Sequence, residues 1–419
     1  MGHIRDIDGA MAGSTETVRS STFLSYLTKE AVLILLLSYF SLIGGGYTGL
    51  VVFETRVFTH VLAVIILAVW LGKKVLAGEH LPSTSLDIPI LAVLSVLLLV
   101  TVLSDIPRLS LEGLLYALMC AVLFYMVVDL LRHGWPADLF TKSLLVVGGI
   151  ACVLAVVEAL DWYLGWLVIG GLAHPMPPSP FRIVRTLGPN PLAAYVNLLI
   201  PIAVVLAVGA RRRINRLVLG GWLLLALLVQ FLTLSRGGWL GLFAAAATLA
   251  IMLTLQYRSL PWTILPRHKI GRWNILSAAV IAGTLIAILL SCLIGYRLLN
   301  DPSRRHSVQE RVLMWRSAWS AFLDRPVTGT GPWTYGTQFL RYSRVDLRRP
   351  VEKAHNVILT ILAESGILGL AATVWLGAAV SVRLRRQWHT ANQSQRLLIT
   401  ACAASLVGSL SHGLVEDFL

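Results

Sequence analysis

The chain has 419 residues, of which 56% are hydrophobic and only 13% are charged, and its formal net charge is +14. Soluble domains carry about 25% charged residues, so this composition excludes a soluble enzyme and indicates a polytopic membrane protein. At roughly 20 apolar residues per span, the length allows about ten to twelve membrane helices and little else. The four cysteines lie inside apolar runs, which indicates core residues and no disulfide.

Apolar runs recur along the chain and predict an all-α membrane protein with eleven visible spans, with a twelfth in the full-length protein. The runs lie at 24–44, 56–72, 87–104, 111–131, 140–160, 191–209, 217–234, 237–256, 274–296, 367–383 and 397–415. The predicted units are a flexible inner tail (1–22), a transmembrane bundle of about nine spans (23–296) with an outer segment near 161–189, an outer domain (297–355) and C-terminal spans (356–419).

If the amino terminus lies inside, the inner loops hold many basic residues and the short outer loops hold few, as the positive-inside rule predicts. The exception is the outer segment 297–355, which has eleven basic residues against five acidic ones. An arginine guanidinium can bind two phosphate oxygens at once. This basic surface therefore favours a phosphate-bearing ligand. Arg316 and Arg341 are among the candidate ligand-binding residues. For the arginines at 341–349, attraction to anionic lipid head groups is an equally weighted alternative.

The turn from Thr233 to Gly238 joins two long apolar helices with almost no loop. Ser235 fits the N-cap of the second helix and places Arg236 in its first turn. An arginine at the positive end of a helix dipole complements it poorly unless an anion binds nearby, and helix N-termini bind anions. The alternative is an interfacial arginine whose head reaches lipid head groups.

A second outward helix start follows Arg185. Asn190 fits an N-cap and Pro191 fits the first helical position. Two such helix starts, each with an arginine, would form a cradle for a pyrophosphate. A good helix start without a ligand is the competing account for Asn190 and Pro191.

The spacing from Ser307 to Glu310 is that of a capping box. The helix that it would open carries an apolar stripe and should therefore lie along the membrane surface. That stripe consists of Val308, Val312, Trp315, Trp319 and Phe322. Arg311 lies at its edge, either as a second phosphate clamp or as an arginine that reaches head groups.

His355 and Asn356 stand at the mouth of a hydrophobic helix. Histidine has an unperturbed pKa of about 6.5, which suits a general base at neutral pH. A histidine that merely lies at the interface is the alternative. Glu364 is out of phase with His355 on a straight helix, so it is expected to serve the bend at Gly366 and Gly369.

Several chemistries find no support in the sequence. It has no Cys/His metal set, no Walker loop and no dinucleotide fingerprint. The first outer loop offers only Glu54, whereas a metal-dependent membrane glycosyltransferase would need several acidic ligands there. A mechanism without metal or other cofactor, and without a nucleic-acid partner, is therefore expected.

These motifs together resemble the O-antigen ligase and polymerase superfamily of bacterial inner-membrane proteins. The resemblance covers roughly residues 180–370 and rests on the order and spacing of the motifs. They are Arg185 with Gly188-Pro189-Asn190-Pro191, Leu234-Ser235-Arg236-Gly237, Arg311 with Trp315, Asp324-Arg325-Pro326, Gly329-Thr330-Gly331-Pro332, and His355-Asn356 with Leu359, Leu362, Glu364 and Gly366.

The resemblance implies a class C glycosyltransferase fold in the inner membrane, a periplasmic active site and a polyprenyl-pyrophosphate glycan donor. By analogy, His355 would take the proton of the acceptor hydroxyl, and Arg236 and Arg311 would hold the departing pyrophosphate. Arg185, Asn190, Asn356, Arg316 and Arg341 are the further candidate substrate-binding residues.

The acceptor distinguishes the two activities of this superfamily. A ligase transfers the glycan to lipid A–core, and a polymerase extends a lipid-linked repeat. One outer domain of about sixty residues and the absence of a large appended soluble region favour the ligase. A solute transporter is the rival from another class, but transporters place ionisable groups or broken helices near the bilayer midplane.

Overall fold

The computed structural model describes residues 36–37, 53–170, 181–183, 185–258, 302–343 and 351–416. Within these ranges the fold is all-helical and has no strand, as predicted. The helices are α1 (Phe53–Leu76), α2 (Asp87–Val102), α3 (Pro107–Arg132), α4 (Ala137–Gly170), α5 (Pro189–Gly209), α6 (Arg213–Leu232), α7 (Arg236–Arg258), α8 (Pro302–Asp324), α9 (Tyr335–Ser343), α10 (Val357–Thr390) and α11 (Gln393–Gly413).

The predicted apolar runs become helices wherever the structure describes them. Nearly all of the run at 24–44 and the whole run at 274–296 lie outside the described residues. Six described helices (α3, α4, α5, α6, α7 and α10) are long and apolar enough to cross a membrane, and α2 is apolar but shorter. The chain is therefore a multi-pass membrane protein, whereas a total of eleven or twelve spans stays a prediction.

Helices α7 and α11 approach each other closely because glycines line both surfaces. A Cβ added at Gly241 would lie 2.7 Å from the carbonyl oxygen of Gly408. One added at Gly408 would lie 2.8 Å from both the Gly241 carbonyl oxygen and the Ala245 Cβ. Small residues of this kind let helix backbones meet in a membrane. Helix α5 joins the pair, and the Ser405 hydroxyl donates to the Leu198 carbonyl at 2.6 Å.

Helix α10 is broken at Gly366, whose φ of 61° is in the left-handed region. The segment before α9 supplies hydrogen bonds to the interrupted backbone. Thr330 N–H donates to the Ala363 carbonyl at 3.0 Å, and Gly331 N–H donates to the Glu364 carbonyl at 2.8 Å. Backbone irregularity at membrane depth is tolerated where other parts of the protein satisfy it.

The Glu364 side chain, expected to serve the bend at Gly366 and Gly369, bonds to another helix. Its carboxylate accepts the Tyr335 N–H at 3.1 Å and so caps the start of α9. Together with the break at Gly366, this contact fixes the outer segment against α10. The same segment is tied to the turn between α2 and α3, where Arg325 pairs with Asp105 at 2.6 Å.

Two predicted helix starts are wrong. Helix α8 begins at Pro302, so Ser307 lies inside the helix and cannot cap it. Helix α5 begins at Pro189 with Gly188 as N-cap, so Asn190 is already helical. In both cases an earlier proline provides the start, because its fixed φ and missing N–H suit the first helical turn.

Helix α8 has a buried face and an exposed face within its described side chains. Met314, Ala318 and Ala321 pack on α9 and α10, whereas Val312 and Trp319 on the stripe expected to face the membrane are exposed. Trp315 and Phe322 on the same stripe are half-buried, so the position of the helix along the membrane surface stays a prediction.

The α7–α11 contact gives a stability prediction. We expect Gly241→Ala to lower the free energy of unfolding by about 1–3 kcal/mol, because the added methyl group meets backbone. Gly221→Ala on α6 is the matched control, since nothing lies within 4 Å of its Cβ position, and it should be neutral or stabilising. Thermal unfolding in detergent compares them, and equal melting temperatures for Gly241→Ala and wild type would contradict the packing argument.

Candidate active site

The turn before α7 presents Arg236 as predicted. The Ser235 hydroxyl accepts the Gly238 N–H at 3.0 Å, so Ser235 is the N-cap. The Thr233 hydroxyl accepts the Ser235 N–H at 3.3 Å and donates to the Gln230 carbonyl at 2.7 Å. This fully bonded turn leaves Arg236 at the first helical position with an exposed side chain, where the N-terminal helix charge is positive.

The segment before α10 presents His355. Asn356 is the N-cap of α10, and its Oδ1 accepts the Leu359 N–H at 3.1 Å. Its Nδ2 donates to the Leu414 carbonyl at 2.9 Å, which ties this segment to the end of α11. Asn356 is therefore a structural anchor for its neighbour His355, and the structure describes no other role for its amide.

A buried carboxylate joins His355 to Arg311. Glu416 is only 2% exposed. Its Oε2 lies 2.7 Å from Nδ1 of His355, and its Oε1 pairs with Nη2 of Arg311. Arg311 also donates from Nη1 to the Val415 carbonyl at 2.9 Å. One side chain thus holds an imidazole and a guanidinium from two distant segments.

Arg236 belongs to the same site through its neighbour Gly237. A Cβ added at Gly237 would lie 2.7 Å from Cδ2 of His412 and 2.9 Å from Cγ of Glu416. Burial lowers the pKa of Arg311, and the positive charges of Arg236 and Arg182 lower it further. Guanidinium groups that disfavour one another's charge are stabilised by a bound anion.

Three residues in these segments have a left-handed backbone although they are not glycine. They are Leu187 with φ 62°, Leu234 with φ 49° and His355 with φ 54°. Such conformations cost of order 1–3 kcal/mol and cluster at functional sites. Each lies within two residues of a predicted site residue, so the strain coincides with the places where the chain presents its polar groups.

Arg185, predicted to bind substrate, has an acidic side chain as its partner in the structure, and its role in substrate binding stays a prediction. Its Nη1 lies 3.3 Å from Oδ2 of Asp161, and both side chains are exposed. Its backbone N–H and that of Thr186 donate to the buried carboxylate of Glu158, each at 2.8 Å. Arg185 thus pairs with Asp161. The charge of Arg182, together with that of Arg236, lowers the pKa of Arg311.

The remaining predicted residues lie outside this cluster. Arg316 is exposed on α8, and Arg341 is exposed on α9 with its guanidinium 5.4 Å from the Tyr342 ring centre. Asn190 lies in the first turn of α5. None of these three has a described contact with Glu416, so a role in substrate binding stays a prediction for each.

Sequence reasoning missed Glu416, His412 and Arg182. Glu416 follows the last apolar run, and an acidic residue at such a boundary was a signal that could have been followed. His412, one turn earlier and fully buried, packs against Gly237. Arg182 precedes Arg185 by three residues and carries no motif that distinguishes the two.

Among the described residues, no three His, Cys, Asp or Glu side chains are grouped so as to hold a metal ion. The groups that the described part of the site does offer are guanidinium donors, the imidazoles of His355 and His412, and the Glu416 carboxylate. Such a set can bind a phosphate-bearing anion and move a proton next to it.

Sequence comparison supports the family predicted from the motifs. Residues 222–374 match the model of a family described as O-Antigen ligase. This range contains Arg236, Arg311 and His355, and it ends before Glu416. A search of curated proteins gave no match to the chain. The comparison thus shows that residues 222–374 are similar to the O-antigen ligase family.

Proposed function

We propose that the protein transfers a glycan from a polyprenyl-pyrophosphate carrier to a sugar hydroxyl of lipid A–core, at the periplasmic face of the inner membrane. The class C glycosyltransferase fold belongs to the same proposal. The observation that carries it is the carboxylate of Glu416, which holds a candidate base and a candidate phosphate ligand side by side. The O-antigen ligase match supports the glycan donor.

The arginines bind the leaving group in this proposal. Arg311 has one Nη on Glu416 and one on a backbone carbonyl, so its plane is fixed before substrate binds. Arg236 adds an exposed guanidinium at the N-terminus of α7. A diphosphate gains negative charge as the glycosidic bond breaks, and preorganised donors stabilise that charge most strongly in the transition state.

His355 takes the proton of the acceptor. When Nδ1–H donates to Glu416, the neutral ring carries its lone pair on Nε2, which can accept a proton. The acceptor oxygen then attacks the anomeric carbon, the bond from that carbon to the pyrophosphate oxygen breaks, and the hydroxyl proton moves to Nε2. Direct displacement inverts the anomeric configuration.

Glu416 is a positioning residue in this scheme. It fixes the tautomer and orientation of the imidazole, and its negative charge stabilises the imidazolium that forms, as carboxylates do beside catalytic histidines. Because the same carboxylate binds Arg311, the base and the phosphate site keep a constant separation.

A polymerase would use the same donor and the same three residues, with a lipid-linked repeat as acceptor. The described contacts all concern the donor side and the base, so they support both activities equally. The compact outer domain is the feature that favours the ligase, and the acceptor experiment below decides.

We expect His355→Ala and Arg236→Ala each to reduce glycan transfer roughly 10²–10⁴-fold, the range for loss of a general base or of an electrostatic contact. Purified protein in detergent with a lipid-pyrophosphate glycan donor measures this. Arg108→Ala is the control, because its side chain is 91% exposed at the start of α3. Full transfer by both variants, with normal melting temperatures, would exclude the catalytic assignment.

Glu416→Gln tests the positioning role. The amide retains the size of the side chain but removes the charge that stabilises the imidazolium, so kcat should fall at least tenfold. The KM for the donor should change less, since Arg236 still binds the diphosphate. If kcat stays at the wild-type value in a folded variant, Glu416 does not act through His355.

The acceptor is identified by offering purified protein one donor and either lipid A–core or a second molecule of donor. Glycan on lipid A–core supports the ligase, and elongated lipid-linked glycan supports the polymerase. The donor is first shown to be active with another ligase. If this protein then transfers glycan to neither acceptor, the proposal that it is a glycosyltransferase is contradicted.

A further inference from the structure

A second arginine cluster lies at the opposite end of the helix bundle from Glu416. Helix α11 begins at Gln393 and runs 21 residues to the candidate active site, about 30 Å along the helix, and helix α10 ends at Thr390, just before that start. The last turns of α10 carry Arg383, Arg385 and Arg386, and the first turn of α11 carries Arg396. The turn between α5 and α6 carries Arg211 and Arg212, and the first turn of α6 carries Arg213 and Arg216.

Both groups belong to one face of the fold. The end of α5 packs on the start of α11, where Leu206 and Leu397 share a hydrophobic cluster. A two-residue turn connects α10 to α11. The first turn of α11 therefore lies between the two arginine groups, and neither segment, 209–216 or 383–396, contains an acidic residue.

Two of the eight arginines already have a structural role. Arg216 donates from Nε to the Ala210 carbonyl at 3.0 Å, just past the end of α5. Arg396 donates from Nε to the Ala391 carbonyl at 2.9 Å, just past the end of α10. Cations stabilise helix C-termini in this way. The other six are exposed and have no ion pair within the described ranges: Arg211, Arg212, Arg213, Arg383, Arg385 and Arg386.

Apolar side chains that face outward adjoin these six arginines. Ile214, Leu217 and Val218 are 61–64% exposed directly after Arg213. Val382 is 48% exposed directly before Arg383. A molecule bound here would contact the arginine guanidinium groups with one part and the adjacent apolar side chains with another. A free phosphate compound can contact only the guanidinium groups, whereas a phospholipid can contact the guanidinium groups with its head group and the apolar side chains with its acyl chains.

We propose that this surface binds anionic phospholipids, with Arg211–Arg213 and Arg383, Arg385 and Arg386 as the two head-group contacts. Arginine suits the role because its planar fork binds two phosphate oxygens at once. Basic clusters next to membrane helices bind anionic head groups. The site is separate from the candidate active site and does not depend on the proposed reaction.

The test uses purified full-length protein in a neutral detergent. Melting temperature and native mass spectra are recorded while phosphatidylglycerol, cardiolipin or phosphatidylethanolamine is added. The anionic lipids should stabilise the protein and remain bound, and phosphatidylethanolamine should do neither. A response of equal size to all three lipids would overturn the proposal.

Two triple variants locate the contacts, one with Arg211, Arg212 and Arg213 changed to Gln and one with Arg383, Arg385 and Arg386 changed to Gln. Each arginine near a charged membrane surface contributes about fivefold in affinity, so each triple change should weaken anionic-lipid binding by roughly 100-fold. Arg108→Gln at the other end of the bundle should bind lipid like wild type. Unchanged binding by both triple variants would overturn the assignment.

Inorganic pyrophosphate separates a lipid from a free phosphate ligand. Pyrophosphate can also stabilise the protein through Arg236 and Arg311, so its effect is compared between wild type and the triple variants. Stabilisation that persists in the variants belongs to the active site and leaves the lipid assignment intact. Stabilisation that disappears with the six arginines would show a free-phosphate site and overturn it. If a triple variant does not fold, the wild-type responses to the three lipids still decide, because only a lipid site distinguishes phosphatidylglycerol and cardiolipin from phosphatidylethanolamine.

Discussion

The structure depends on one buried carboxylate. Glu416 is removed from water and bound at one oxygen by Arg311 and at the other by His355. Burying a charge is costly unless partners replace the lost hydration, and removing one partner of such a pair costs several kcal/mol. The fold therefore requires both partners to be in place, and this requirement brings the outer helix α8 and the start of α10 to the end of α11.

The helix packing explains how Glu416 reaches this position. Gly241 and Gly408 allow α7 and α11 to touch along their backbones, and because the helices are antiparallel, the start of α7 and the end of α11 coincide. Arg236 and Glu416 are thus neighbours as a result of glycine packing about one to two helical turns away. Helix α10 is broken at Gly366, and the backbone around the break is hydrogen-bonded to the segment that follows α8. These bonds help to hold α8 next to Glu416. Stability and the geometry of the candidate site have a common origin here.

The sequence predicted the features that depend on local chemistry. The cap by Ser235 and the exposed start of α7 follow from a few adjacent residues, and the apolar runs follow from composition. The starts of α5 and α8 were misplaced because nearby prolines compete with good capping residues. Glu416 could not be found by spacing, since its contacts join residues 61 and 105 positions apart. The sequence also could not tell which of Arg182 and Arg185 lies nearer Arg311. The position of Arg185 is set by Asp161 and Glu158, which lie on α4, far from it in sequence.

The central claim is that Arg236 and Arg311 bind a diphosphate beside an imidazole oriented by Glu416. A cryo-EM structure of the protein with a non-hydrolysable polyprenyl-pyrophosphate glycan analogue tests it most directly. The account predicts diphosphate oxygens within hydrogen-bonding distance of both guanidinium groups, and the anomeric carbon on the side of His355 Nε2. A diphosphate bound elsewhere on the protein, with Arg236 and Arg311 not in contact with it, would contradict the account.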